Sequence, residues 1–596
     1  MLARNLVLAL AGIIGSFIVL ILLLPTPSDT LDAATSLVID DVRYFDGERL
    51  VGPTRLVLAG GQIAAIGAHA RAPAGAPHLD GEGLTALPGL IDAHVHTYGT
   101  SRRDALRFGV TTVLDMFTDP MNLLGARESR DAYGAADAAA LFSAGMLATV
   151  EGGHGTQFPV PVETLQDSSE ATAWVAARVA EGSDYIKLVY MPDWPGRASL
   201  DFATASAIID AAHAAGLKAV AHIATQKDAR ALLGAGIDGF VHIFADSIVD
   251  DEFLREARER GVFIVPTLAI IATASGQSTG PGLLEHPELG ERVDALARVN
   301  LRQTFGNVRS PIFDLDKALT NVRRLHEAGV PILAGSDAPN PGTAHGISVH
   351  GELRLLVRAG LSPAAAIAAA THVAAEQFGL EGRGRIAEGA RADLLLISGD
   401  PLVSIEATAD IRTVLRNGFF SGDALPPAGE SMRLAGALSD FDTGLNGPSG
   451  LSWTATSDAL MGGTSKAQIN LLDGDEAGRG GTLAVQATVT RAFPYPWAGA
   501  FLAFGGPDQS ADLTAISAVR FAVRGTPARY RLMMFEQGVR TPPTVVFTVG
   551  EQWREVQIPL ADFAGFTATR FIGMAFVSPD AAGEYTFALD DVQLVP

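Results

Sequence analysis

The chain has 596 residues, 48% of them hydrophobic, a formal charge of -22 and no cysteine. That length exceeds one ordinary core and implies two or three domains, and the apolar content excludes a disordered chain. The acidic balance argues against nucleic acid as a partner, while the lack of cysteine excludes disulfides, thiolate nucleophiles and sulfur-ligated zinc, so any metal must sit on His, Asp, Glu or a modified Lys.

The first element in chain order is "LVLALAGIIGSFIVLILLL", residues 6–24, which carries no charge. As a helix it would span roughly 28 Å at about 1.5 Å per residue, one bilayer core. A secretory signal has a shorter apolar region, ~7–15 residues. Residues 1–30 therefore read as a membrane anchor or uncleaved signal, with "DAATS" (32–36) as the alternative cleavage site. Arg4, the only basic residue ahead of the apolar run, leaves the N-terminus in the cytoplasm and the body outside it. The body would then be periplasmic in a Gram-negative cell, or secreted if the segment is cleaved.

Residues 36–84 alternate Val/Ile/Leu runs with "DGE", "GP" and "GG" turn signals and read as antiparallel strands, and the same texture returns over 384–420. Between them, residues 85–383 alternate short apolar runs with Ala-rich helical stretches such as "DFATASAIIDAAHAAG" (201–216), the mark of parallel β/α units. Eight candidate strands, "ALPGLIDAHVH", "TTVLDMF", "AALFSAGMLAT", "YIKLVY", "KAVAHI", "GFVHI", "GVFIVPTL" and "PILAGSDA", predict a (β/α)8 barrel. After a Gly/Pro/Ala-rich linker at 421–436, residues 437–596 return to alternating strands with Gly, Asp and Pro turns, a separate β-sandwich.

In a strand alternate residues share a face, so His94 and His96 point together into the barrel at its rim. Two convergent neutral imidazoles pack poorly and ligate metals well, although an H-x-H pair alone is also met in ordinary partly buried histidines. Other candidate strands end alike: Lys187 on the fourth, His222 on the fifth, His242 on the sixth and Asp337 on the eighth. Polar groups gathered at one end of apolar strands each need a partner out of water, and metal ligation satisfies them together.

These residues, with the phrases "PGLIDAHVH", "GVTTVLDM", "AHGISVHGELRLLVRAGLSPAAAIAAAT" and "GRIAEGARADLLLI", resemble the amidohydrolase superfamily in its imidazolonepropionase-like and prolidase-like branch, over roughly residues 36–418. The resemblance implies an α/β fold, a TIM-like barrel with a small composite β-sandwich from its two flanks. It also implies a metal centre at the barrel mouth, with His94, His96, His222, His242 and Asp337 on ligand positions. Lys187, carboxylated by carbon dioxide, would bridge two divalent ions, zinc being the expected metal; a plain structural lysine is the alternative. Metal-activated hydroxide would then attack the amide or peptide-like bond of a small substrate, a dipeptide or N-acyl amino acid, with Asp337 carrying the proton to the leaving nitrogen. The same attack would serve cyclic amides, lactones or esters, and a barrel that had lost catalysis would leave a binding protein.

Around this centre, His154 in "EGGHGT" reads as a substrate contact or a loop-capping group. Tyr190 and Arg197 in "VYMPDWPGR" could recognise a substrate carboxylate, against the alternative of a packed, solvated loop. His345 could line the mouth, while His350 reads as orienting the next helix, and residues 272–310 could form a lid. Finally, "WTATSDALMGGTS" (453–465) and "FALDDVQLV" resemble the complex I intermediate-associated protein 30-kDa family over residues 441–596. That resemblance implies a galactose-binding-like jelly roll, for which a protein or glycan partner is an expectation only.

Overall fold

The computed structural model describes residues 36–596, apart from short interruptions at 124–125, 135–136, 158–161, 306–312, 422–431, 434–435, 443–444, 446–451, 459–463, 473–479, 492–495, 504–510, 537–541 and 570. The expected membrane helix at 6–24 lies outside the described residues, as does most of the "DALMGG" phrase. Among the described residues no helix is long and apolar enough to cross a membrane.

The centre of the molecule is the expected barrel. Leu90–Val95, Val110–Asp115 and Ala140–Ser143 form one parallel ladder, and Ile186–Val189, Ala219–His222, Gly239–Val241 and Phe263–Val265 form a second. The first two strands are buried at every position, as strands covered on both faces must be. Two irregular seams close the ring. At one, Ala148 pairs with Leu188; at the other, residues 331–338 sit between Phe263–Val265 and Leu90–Val95 through the pairs Ile332–Ile264 and Ala338–Val95. The eighth expected strand is thus held by single pairings rather than a regular ladder, and near its end Asp337 adopts a left-handed backbone (φ 54°).

The helices bury one stripe each against this ring. Leu315–Glu327 illustrates the pattern: Leu315, Ala318, Leu319, Val322 and Leu325 face inward, and the Asp314 side chain accepts from the Lys317 N–H to start the helix. The expected lid is largely helical, with Leu268–Ala274, Gly280–Glu285, Pro287–Arg292 and Ala295–Leu301 following the seventh strand.

The two flanks join as expected, but in one continuous eight-stranded sheet rather than two separately bonded layers. Leu394–Ser398 pairs antiparallel with Leu84–Pro88, setting Leu395 opposite Leu87, and Ser36–Phe45 adds to the other edge. The strand Leu84–Pro88, two residues before the barrel begins, is therefore common ground for both chain flanks. Here the Arg416 guanidinium, 1% exposed, donates to both oxygens of Asp393 (2.7 and 2.9 Å), and Asp393 also accepts from the Asn417 N–H. The C-terminal region is all-β: two sheets, mainly antiparallel, enclose a core that includes Trp453, Phe521, Tyr530, Phe547 and Phe576. Alternate burial along Ala528–Glu536 and Arg554–Pro559 marks each as a sandwich strand with one inner face.

Replacing Asp393 by Ala strands a buried guanidinium. The Asp393→Ala variant is expected to lose roughly 3–5 kcal/mol of stability, read as a lowered urea midpoint; an unchanged midpoint would contradict the pairing as a fastening of the flank sheet.

Candidate metal centre

The ring brings the expected ligand side chains to one buried place. His94 and His96 leave the first strand on the same side, and the Asp337 N–H donates to the His94 carbonyl (2.7 Å), so the first and eighth positions are locked in register. The Nε2 atoms of His94 and His96 lie 3.2 and 3.1 Å from Asp337 Oδ1. At the fifth and sixth strands, His222 Nδ1 and His242 Nε2 approach to 3.0 Å. Around a zinc ion with bonds of ~2.0 Å a tetrahedron has edges of roughly 3.3 Å, close to these spacings. His94, His242 and Asp337 each offer a ligand atom within 4.8 Å of the others. Lys187, 2% exposed on the fourth strand, feels the charge of Asp337, and the histidines His94, His96, His154, His222 and His242 feel that of its ammonium.

The donor set fits a cation. The ring N–H at His96 Nδ1 donates to the Phe117 carbonyl (3.3 Å), so His96, when neutral, turns its Nε2 lone pair toward a carboxylate oxygen 3.1 Å away. Two acceptors at that separation need a cation between them, a proton or a metal ion. Asp337 Oδ1 and His94 Nδ1 are buried without a hydrogen-bond partner, the state expected of Oδ1 when a metal completes the set.

Burial dominates the electrostatics. It pushes His94 down to about 4 and His222 and His242 well below the usual imidazole range, keeping these rings neutral. Burial also pushes the Lys187 amine down to about 7. Against the upward push of burial, the imidazoles of His94, His96 and His242 hold the Asp337 carboxyl well below its ordinary range. His96 moves up on balance, burial working downward and Asp337 upward.

The sequence reading missed the polar groups that hold these side chains. The Thr267 hydroxyl donates to the Pro266 carbonyl (2.8 Å) and accepts from His242 Nδ1 (2.6 Å), which leaves the His242 Nε2 lone pair facing the centre. Thr267 sits at φ 47°, and its neighbours Leu268 and Ala269 donate their N–H groups to the two oxygens of the fully buried Glu352 (3.0 and 2.8 Å). Asp92 accepts from the His94 N–H and from both the N–H and hydroxyl of Ser336. Asp115 accepts from the Thr97 N–H and hydroxyl and from Ser143. The signal available in the sequence was a carboxylate inside an apolar run, as in "GLIDAHV" and "TVLDMF".

The expected substrate residues divide. His154 stacks on His222 (centroids 4.7 Å apart), Gln157 lies beside His154, and Arg197 donates to Gln157 Oε1 (2.9 Å). Arg197 and His154 thus share one polar wall through Gln157, which the sequence did not single out. Tyr190, 6% exposed, is packed into the barrel core. His345 donates from Nε2 to the His96 carbonyl (3.0 Å), and His350 donates to the Phe108 carbonyl (3.0 Å), tying its helix to the C-terminal end of the helix Ser101–Arg107.

Residues 85–423 match the model described as the amidohydrolase family, and residues 443–575 match that of complex I intermediate-associated protein 30. An uncharacterised protein of Mycobacterium tuberculosis is 28% identical over 54% of this chain and 80% of its own. The imidazolonepropionase of Deinococcus radiodurans is 25% identical over 59% of this chain and 86% of its own. Among solved structures, a Xaa-Pro dipeptidase with methionine bound in its active site aligns with a TM-score of 0.53 at 21% identity, over 65% of this chain and 99% of that one. Molinate hydrolase aligns with a TM-score of 0.52 at 18% identity, over 66% and 96%. These two are likenesses of fold.

Because valine keeps the shape of threonine and removes only its hydroxyl, Thr267→Val tests the hold on His242. Loss of a group that orients a metal ligand typically costs about 10–100-fold in metal affinity, so chelator competition on Thr267→Val should show a drop of that order, and wild-type affinity would discount the contact.

Proposed function

The chain belongs to the amidohydrolase family, and on that footing we propose that it hydrolyses a small amide, a dipeptide or N-acyl amino acid, with two divalent ions, zinc for preference, at the barrel mouth. It is a metal-dependent hydrolase acting on carbon–nitrogen bonds. What supports the finer reading is the cluster of His94, His96, His222, His242 and Asp337, in which His242 offers a ligand atom within 4.8 Å of His94 and Asp337, together with the buried amine of Lys187, which feels the Asp337 charge.

His94, His96 and Asp337 would hold one ion and His222 and His242 the other. Lys187 would join them as a carbamate, its Nζ bonded to the carbon of carbon dioxide after loss of a proton. Four neutral imidazoles bring no charge, so Asp337 and the carbamate offset the cations. Bound ions would supply Lewis acidity, lowering the pKa of water and polarising the scissile carbonyl.

Asp337, kept ionised by its imidazole neighbours, is the group that accepts a proton from the attacking water and returns it to the leaving nitrogen. The polar wall of His154, Gln157 and Arg197 is the place for a substrate carboxylate, which a guanidinium grips with two parallel hydrogen bonds. Tyr190, packed in the barrel core, is left out of this wall. Residues 6–24 would anchor the body outside the cytoplasm, and the sandwich, read as a jelly roll, would carry a separate binding function for a protein or glycan.

Metal content measured with bicarbonate present is expected to be about two ions per chain, falling to one or fewer in Lys187→Ala, with turnover of a dipeptide and N-acyl amino acid panel reduced at least about a hundredfold. One ion in both proteins would make Lys187 structural; none in either would remove the metal reading. A panel cleaved only at lactones or esters would replace the substrate class. Arg197→Ala is expected to raise KM for carboxylate-bearing substrates about tenfold with kcat little changed; an equal fall in kcat would place Arg197 elsewhere in the reaction.

A further inference from the structure

Beside the metal centre lies a cavity of about 180 Å³, between the helix Ser101–Arg107, the helix Ala295–Leu301 and the loop that follows Asp337. His345 joins the two places. Its Nε2 donates to the carbonyl of His96, its ring meets the Tyr98 ring edge-on at 6.0 Å, and it lines the cavity together with Pro339, two residues beyond Asp337.

The cavity wall mixes apolar and polar residues, and several of the polar ones are bonded within the protein. The Asn300 amide donates to the carbonyls of Pro339, Asn340 and Thr343. Asp294 accepts from the Ala297 N–H as a helix cap. Asp104 pairs with Arg107 (3.2 Å) and accepts from the Thr100 hydroxyl, and the Ser101 hydroxyl accepts from the Tyr98 N–H. His345 directs Nε2 to His96. The apolar part of the wall is formed by Tyr98, Phe108, Ala297, Ala344, Ile347 and Pro339, with Gln303 a polar side chain at its exposed edge. An apolar cavity of ~150 Å³ holds a benzene-sized molecule, so this one has room for a phenyl or leucyl group.

The position in the ring gives the direction. His345 stands against the first strand, whereas His154 and the Arg197 wall stand against His222 on the fifth. In a ring of eight, those strands face each other across the mouth. A substrate carboxylate at Arg197 belongs to the amine portion of a dipeptide or N-acyl amino acid, so the acyl portion points to the cavity.

Resting on the amide-hydrolase reading above, we propose that this cavity is the acyl-side specificity pocket, and that the substrate is a dipeptide or N-acyl amino acid whose acyl portion carries a phenyl- or leucyl-sized apolar group. Filling a pocket of this kind discriminates by about 10–200-fold for even small apolar increments.

The test compares kcat/KM for N-phenylacetyl-alanine with N-acetyl-alanine, and for Phe-Ala with Gly-Ala, in the metal-replete protein and in Ala297→Phe, whose added ring occupies the cavity. Independently of turnover, binding of 4-fluorobenzamide is followed by fluorine NMR in both proteins. The expected result is a preference of at least about tenfold for the phenyl members in the wild type, a ratio near one in Ala297→Phe, and probe binding lost in the variant. A wild-type ratio near one, or a ratio unaltered by Ala297→Phe, overturns the pocket and leaves the hydrolase reading standing. If no compound is turned over while the probe binds the wild type alone, the hydrolase reading falls and the apolar cavity stands; absence of both turnover and probe binding removes both.

Discussion

One carboxylate oxygen of Asp337 faces the Nε2 atoms of His94 and His96 at 3.2 and 3.1 Å, and the barrel mouth is organised around that contact. Such an arrangement is costly in a dry interior unless a cation lies between the acceptors. It is made by backbone register: His94 and His96 project from one strand end, and Asp337 is drawn to them by its own N–H on the His94 carbonyl. The left-handed backbone at Asp337 is the local concession that accompanies this placement of its side chain.

Around the contact, buried carboxylates act through others. Asp92 grips Ser336 and the His94 backbone, Asp115 grips Thr97, and Glu352 receives the two N–H groups after Thr267, whose hydroxyl fixes His242. Burial pushes Asp92 up to about 7 and Glu352 up to about 8. Each carries the desolvation of an acid in exchange for defining the orientation of a neighbour, an arrangement that makes sense where a ligand set must be held before any ion arrives.

The barrel and the positions of six of its polar side chains were legible because strand periodicity converts sequence spacing into direction: H-x-H has one geometric meaning at a strand end. The two-sheet texture of the C-terminal region was legible for the same reason. What the sequence did not disclose depends on contacts between distant elements. Thr267 looked like the last residue of a strand, and Glu352 like one more charge on a helix, until residues 84 positions apart met. Gln157 acquires meaning only with Arg197 beside it. Periodicity also overstated the eighth strand, which pairs with its neighbours only at Ile332 and Ala338.

The sheet built from both flanks has a consequence for the order in which the chain can settle. Leu84–Pro88 finds its partner in Leu394–Ser398 only after some three hundred further residues have been synthesised. At a synthesis rate of ~5–20 residues per second that is roughly 15–60 s. Through that interval the nascent chain exposes an unsatisfied strand edge next to the barrel's first strand. Such edges are templates for pairing with other chains, so the barrel's own completion is what shields its beginning from self-association on the ribosome.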